Sequence, residues 1–301
     1  MIGSNRELIQ RNTAAALEDL RQLKLEYGQL DNEEIVLNLE LNQSMAEISF
    51  YSRYDKASAN SLAVIERFKD TAHKNALARH YWLVGQCFAF NGEHDKAYNS
   101  LAQSLNLATE GLPDFIELKA DVLIALAINT EVQYEGSEES IQYLQNCLQL
   151  VSAPRHFIRK ANALMGIGNV LVNMLKAEES LQYFHEAAET FEQHYDLGNM
   201  ASAYSNIGTS YVILKNWEKA EEYLSRSLEL RKKFGTPAHL SISYYNLGIV
   251  YKEQGKLHQA YEVLNKSREI LLTCSTKLDM EMTMKALSEV AEQLGNPLAV
   301  V

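Results

Sequence analysis

Apolar residues recur every three to four positions along most of the chain, which is the pattern of helices that bury one face. Only 4 prolines and 14 glycines occur among the 301 residues, so little in the sequence interrupts such helices. In the first 28 residues the pattern predicts one amphipathic helix over 4–28, whose apolar residues are Leu8, Ala15, Leu20, Leu23 and Tyr27. The chain is therefore expected to be all-α.

A longer period is superimposed on the helical one. Gly168, Gly208 and Gly248 lie 40 residues apart. Each glycine is followed, at fixed distances, by a large apolar residue, a small residue, a second large apolar residue and a second small residue. After Gly208 these are Tyr211, Ala220, Leu224 and Ser227. Recurrence of residue size at a fixed step predicts a stack of similar helix pairs, in which each pair packs on its neighbours.

The same register continues towards both ends of the chain. Upstream it passes through Gly85, but it places Ile128 and Met45 where the other copies have glycine. Downstream, Ser288 and Ala291 match the start of a seventh copy. The sequence thus predicts a capping helix within residues 1–36 and an array over residues 37–301. That array is expected to contain six full helix pairs and a partial seventh.

This order of residue sizes resembles the tetratricopeptide repeat, in a variant longer than the usual period of about 34 residues. The resemblance implies an all-α, right-handed superhelical solenoid of antiparallel helix pairs. It also implies that the first helix of each pair, helix A, lines a concave groove and that the second, helix B, packs behind it. Members of this family commonly hold a protein or peptide segment in that groove.

The family's groove positions can be transferred to this chain along the 40-residue register. They select a set rich in carboxamides: Trp82, Gln86, Asn129, Gln133, Asn162, Asn169, Asn173, Asn206, Thr209, Tyr245 and Asn246. A carboxamide offers a donor and an acceptor together, which match the polar groups of an extended peptide backbone. Trp82 and Tyr245 would add apolar recesses. The resemblance therefore implies that these residues bind a peptide or protein segment.

Composition narrows the class of partner. The net charge is −11 and the basic residues are scattered, which disfavours nucleic acid. The chain has no run of 18 apolar residues that could span a membrane, and its N-terminus lacks the apolar core of a signal peptide. Its three cysteines form no CxxC pair, which favours free thiols in a reducing compartment. These features predict a cytoplasmic protein.

Motifs for catalysis are incomplete. His185-Glu186 begins like a zinc-protease motif, but Glu189 stands where the second histidine is required. No Ser-His-Asp or Cys-His set can be assembled from the sequence. We therefore expect no catalytic residue, no metal site and no cofactor, and the chain itself is not expected to be an enzyme.

Three functions fit these expectations. The first is an adaptor or sensor module in bacterial-type signalling, which grips an extended segment in the Asn-rich groove. The second is the N-terminal regulatory input domain of a larger signalling enzyme, such as a nucleotide or diguanylate cyclase or a kinase, because the seventh copy stops before its second helix. The third is a peptide-pheromone-responsive regulator without a DNA-binding domain. A homodimer is compatible with each of them.

Overall fold

The computed structural model of the chain describes residue 22 and residues 32–51, 53–108, 115–273 and 277–295. Within these residues the structure contains thirteen α-helices, one short 3-10 helix and no strand, which confirms the all-α fold class. Apart from residue 22, the N-terminal helix predicted over 4–28 lies outside the described residues. Cys274 and residues 296–301 lie outside them as well. No described helix is long and apolar enough to cross a membrane.

The chain forms two compact units, residues 1–151 and residues 152–301. The helices of the first unit are α1 (Glu33–Tyr51), α2 (Tyr54–Arg67), α3 (Lys74–Phe90), α4 (His94–Leu107), α5 (Phe115–Gln133) and α6 (Glu138–Leu150). The helices of the second unit are α7 (Phe157–Asn173), α8 (Ala177–Gln193), α9 (Leu197–Ile213), α10 (Trp217–Phe234), α11 (Pro237–Glu253), α12 (Leu257–Leu271) and α13 (Lys277–Gln293).

Helices A and B of each pair are joined by a short turn and pack against each other along their length. The pairs are α1–α2, α3–α4 and α5–α6 in the first unit, and α7–α8, α9–α10 and α11–α12 in the second, where α13 packs on α12. Within a unit, each helix A also contacts the helix A of the next pair. Side chains on helices A therefore form one continuous surface within each unit.

Close approach inside a pair depends on the repeated glycine. A Cβ atom added at Gly208 would lie 2.6 Å from Leu224 Cγ and 3.3 Å from the Leu224 backbone nitrogen. At Gly168 the nearest atom, Phe184 Cε1, would lie 2.5 Å away. In both pairs the large residue sixteen positions after the glycine fills the space that a side chain would need. The contact between the glycine of helix A and the large residue of helix B therefore explains why glycine recurs in the sequence.

Serine side chains on three helices B add a second, polar link to helix A. In the fifth pair the buried Ser227 Oγ donates a hydrogen bond to Ala201 O at 2.7 Å. Equivalent bonds join Ser104 to Ala78 and Ser267 to Ser241, at 2.7 and 2.9 Å. A small residue is required there because a larger one would separate the helices, and a hydroxyl fixes the two helices along their axes.

The placement of Ile128 and Met45 at the small position of helix A is wrong. Ile128 is 59% exposed, whereas the adjacent Ala127 is 2% exposed and occupies the glycine's place. In the first pair Ser44, not Met45, is buried there. In these two pairs the small residue of helix A and the small residue of helix B are 13 positions apart, whereas they are 12 apart in the other pairs. A fixed step of 40 residues does not allow for this difference. Each of the six described pairs therefore has a small residue where its helices meet.

Substituting Gly208 by Ala should destabilise the second unit. Overpacking against Leu224 costs about 1–3 kcal/mol, which exceeds the gain in helix propensity of about 0.5–1 kcal/mol. Gly198→Ala in the same helix is the matched control. The nearest atom to its Cβ would be Asp196 Oδ1 at 3.9 Å, so it should be neutral or stabilising. Urea unfolding of both variants measures the difference, and equal effects would contradict the assigned contact.

A buried histidine joins the helices of the first unit. The His80 side chain is fully buried, with Nε2 2.9 Å from Leu37 O and Nδ1 3.1 Å from Ser61 Oγ. A carbonyl oxygen can only accept, so Nε2 carries the proton and Nδ1 accepts from the Ser61 hydroxyl. Burial lowers the pKa of His80, although the Leu37 carbonyl and the Glu40 carboxylate oppose that effect. The neutral imidazole therefore links α3 to both α1 and α2.

This histidine makes stability depend on pH in a defined direction. Below its ordinary pKa of 6.5, the unfolded chain binds a proton that the folded chain excludes, so stability present above that pH is lost as the pH falls. The free energy of unfolding should fall more between about pH 7.5 and about pH 5.5 in the wild type than in His80→Gln. The exposed His258→Gln variant should follow the wild type. Identical pH dependence in all three proteins would refute the assignment.

Candidate functional site

Exposed carboxamides follow the helices A of the second unit. On α7, Asn162, Asn169 and Asn173 are exposed and share one face of the helix, since they are seven and four residues apart. The opposite face buries residues such as Leu164 and Ile167 against neighbouring helices. The apolar pattern of α7 thus fixes which way its three asparagines point.

Two of these carboxamides bond to each other across neighbouring helices. Asn206 Nδ2 on α9 donates to Asn169 Oδ1 on α7 at 3.0 Å. This bond uses one donor and one acceptor, so Asn169 retains its NH2 group and Asn206 its carbonyl oxygen for a ligand. The nearby Thr209 hydroxyl donates to Ser205 O of its own helix at 3.0 Å. The pair forms the centre of a polar surface in the second unit.

An apolar pocket of about 170 Å³ adjoins this surface between α11, α12 and α13. Its lining residues are Ser241, Ile242, Tyr245, Asn246, Ser267, Leu271, Met282 and Thr283. A cavity of about 150 Å³ is large enough to bind benzene, so this one can hold a single aliphatic side chain or ring. Burial raises the pKa of Tyr245, which keeps its hydroxyl protonated as a hydrogen-bond donor.

Paired charges lie beyond the pocket, where α11 faces α13. Lys252 Nζ is 2.8 Å from Glu289 Oε2 and 3.7 Å from Glu253 Oε1. The hydrogen bond to Glu289 raises the pKa of Lys252, and the same bond lowers the pKa of Glu289. The lysine is therefore neutralised by its neighbours, and this end of the surface does not favour an anionic ligand.

The four residues predicted in the first unit do not form a comparable surface. Asn129 is 1% exposed, and it accepts from His94 Nδ1 at 3.0 Å while its own amide donates to His94 O at 3.1 Å. Gln133 Nε2 donates to Asp95 Oδ1 at 3.1 Å. Trp82 is half-buried against apolar residues, and Gln86 is exposed. Asn129 and Gln133 thus tie α5 to α4.

The one-residue shift in the third pair explains this outcome. The positions equivalent to Asn169 and Asn173 of α7 are Ile128 and Val132, whereas Asn129 falls on a buried position. Sequence reasoning also missed Met282 in the apolar pocket. The signal was present, because Met282 precedes Ser288 by the same six residues that separate Asn162 from Gly168.

The described residues give little evidence for a metal site or a reactive cysteine. No group of three or more His, Cys, Asp or Glu is arranged there to hold a metal ion. Cys87 and Cys147 are buried, and burial raises the pKa of the Cys87 thiol to about 11. Such a thiol is protonated at neutral pH and is a poor nucleophile.

Replacing Asn129 by alanine should reduce the free energy of unfolding much more than replacing Asn169. Asn129→Ala leaves the His94 carbonyl and ring nitrogen without their partner in a partly buried site, which costs about 1–3 kcal/mol. Asn169→Ala removes one exposed bond and should change the free energy of unfolding by less than about 0.5 kcal/mol. Chemical denaturation tests both, and a large loss in Asn169→Ala would mark that residue as structural.

Comparison with known proteins agrees with the fold. Residues 199–273 match the family model described as tetratricopeptide repeat. No curated protein matches the chain in sequence at a significant level. Among solved structures, the apo form of the quorum sensor NprR from B. thuringiensis is similar with a TM-score of 0.75 and 15% identity, covering 99% of this chain and 82% of that chain.

Two solved complexes, one with a peptide and one with Competence and Sporulation Factor, also resemble this chain in structure. NprR in complex with its cognate peptide NprX has a TM-score of 0.62 and 15% identity, with 99% of this chain and 90% of that chain covered. A Rap protein complexed with Competence and Sporulation Factor has a TM-score of 0.67 and 16% identity, with 95% and 87% covered. At these identities the likeness concerns the fold.

Proposed function

Because the chain carries tetratricopeptide repeats, we propose that it binds an extended peptide or protein segment on the helices A of its second unit. The observation that supports this most is the carboxamide surface of α7, α9 and α11, centred on the Asn169–Asn206 bond. Asn162 and Asn173 extend it along α7, and Asn246 extends it to α11.

The chemistry suits a backbone ligand. An extended peptide presents N–H and C=O groups in alternation, and each asparagine can pair with one of each. Asn169 and Asn206 orient each other, so less side-chain freedom is lost on binding. The adjoining pocket at Tyr245 and Met282 then accepts one apolar side chain of the segment. The carboxamides hold the backbone and the pocket selects the side chain.

We infer a role as an adaptor or sensor in bacterial-type signalling. Two structurally similar proteins, the NprR quorum sensor and a Rap protein, were solved with a peptide and with Competence and Sporulation Factor respectively. For this chain, a bound peptide would act by contacting three successive helices A and stabilising their packing. A catalytic role is not part of the proposal.

Panning a random-peptide display library on the purified chain tests this function. Selected peptides should bind with measurable affinity, and the double variant Asn169→Ala/Asn206→Ala should bind them about tenfold more weakly, because two backbone-pairing groups are lost. Isothermal titration calorimetry gives both affinities.

The matched control is Asn99→Ala, an exposed asparagine on helix B of the second pair. It should bind the selected peptides as the wild type does. Two outcomes would overturn the proposal. One is the absence of any peptide enriched over the bare support, and the other is equal affinity of the double variant and the wild type.

A further inference from the structure

The register shift in the third pair exposes apolar side chains on the first unit. Ile128 and Val132 of α5 are 59% and 62% exposed, and they lie one turn apart on the same face. Phe90, at the position on α3 equivalent to Val132, is 66% exposed even though its ring stacks on Tyr54. Since α3 and α5 pack on each other, these three side chains form one surface, called here the apolar patch.

Helix α5 differs in this respect from α7. It buries residues such as Val122 and Leu126 on its inner side, and its outer side is apolar as well. In α7 the equivalent outer positions are Asn169 and Asn173. A helix that is apolar on all sides is ordinarily buried, so the outer face of α5 has the character of a covered surface.

The two most exposed aliphatic residues of the second unit do not share this arrangement. Leu175 is 88% exposed, but it lies in the turn between α7 and α8 rather than on a helix face. Leu272 is 73% exposed immediately after the end of α12. Single apolar residues at turns are normal on protein surfaces, whereas adjoining ones on neighbouring helices mark interaction sites.

The charge of the first unit indicates what would cover the patch. Residues 1–151 contain 12 Lys and Arg against 22 Asp and Glu, a net charge of −10, whereas residues 152–301 contain 16 against 17, a net charge of −1. The third pair, residues 115–151, has one lysine and six acidic residues. Asp121 lies two helical turns before Ile128, and the exposed Glu135 follows the end of α5.

We propose that the apolar patch is a second binding surface, separate from the carboxamide surface, and that its partner is a basic amphipathic helix. Apolar side chains of such a helix would cover Phe90, Ile128 and Val132. Lysine or arginine side chains flanking them would meet the acidic residues at both ends of the patch. Acidic surroundings disfavour an acidic partner and a second copy of this chain, because like charges repel.

A model peptide serves as the probe. An amphipathic peptide of leucine and lysine, about 18 residues long, forms five helical turns with one apolar and one basic face. It should bind the intact chain by fluorescence anisotropy, and its affinity should fall as salt is added. A peptide of the same composition in scrambled order, and a leucine–glutamate peptide, should bind about tenfold more weakly or worse.

Variants of the chain then locate the site. Ile128→Lys/Val132→Lys should weaken binding of the leucine–lysine peptide by about tenfold or more, since both side chains lose apolar contact. Both are exposed, and circular dichroism should show an unchanged melting profile. The control is Leu175→Lys, which should bind as the wild type does. Lys215, at the equivalent turn, shows that lysine is accepted at position 175.

Three results would overturn the proposal. The first is equal binding by the wild type and the Ile128/Val132 double variant. The second is binding of the leucine–glutamate peptide as tight as that of the leucine–lysine peptide. The third is a wild-type dimer in sedimentation velocity that the double variant abolishes, which would make a second copy of the chain the occupant. None of these results depends on whether the carboxamide surface binds a peptide.

Discussion

The close approach of the two helices in each pair determines how the other side chains of the repeat are placed. In four of the described pairs a glycine on helix A faces a large apolar residue on helix B, and the distance leaves no room for a further methyl group. Because this contact repeats, the helices A within a unit adjoin in a constant orientation. This contact also orients the groove residues. Because the small residue of helix A faces helix B, the residues one and five places after it face outward.

The same constraint decides which asparagines can bind a ligand. Asn169 follows the small residue Gly168 directly and is exposed, whereas Asn129 lies two places after Ala127 and is buried against His94. A change of one residue in register thus turns a binding side chain into a structural one. It also replaces a polar surface by the apolar patch on α5. The two units therefore present different chemistry on equivalent faces, carboxamide in the second and apolar with acidic surroundings in the first.

Much of the fold could be predicted from residue size alone, because glycine at Gly168, Gly208 and Gly248 marks a contact that tolerates nothing larger. The shifts at Ala127 and Ser44 could not, since alanine and serine are common and do not reveal a one-residue insertion by themselves. The division at residue 151 has no signature in the repeat either. The pocket at Tyr245 depends on how three helices meet, which no spacing along the chain specifies. Met282 alone could have been predicted, because it precedes Ser288 by the same six residues that separate Asn162 from Gly168.

Nuclear magnetic resonance of the side-chain amide groups can distinguish the asparagines that bind a ligand from those that hold helices together. The chain, labelled with 15N and titrated with a peptide from display selection, would report on each asparagine separately. We expect the NH2 resonances of Asn169, Asn206 and Asn246 to shift together and to saturate at one peptide per chain, while those of Asn99 and Asn129 stay in place. Shifts confined to helices B, or to residues of the first unit, would show that the peptide does not bind the carboxamide surface.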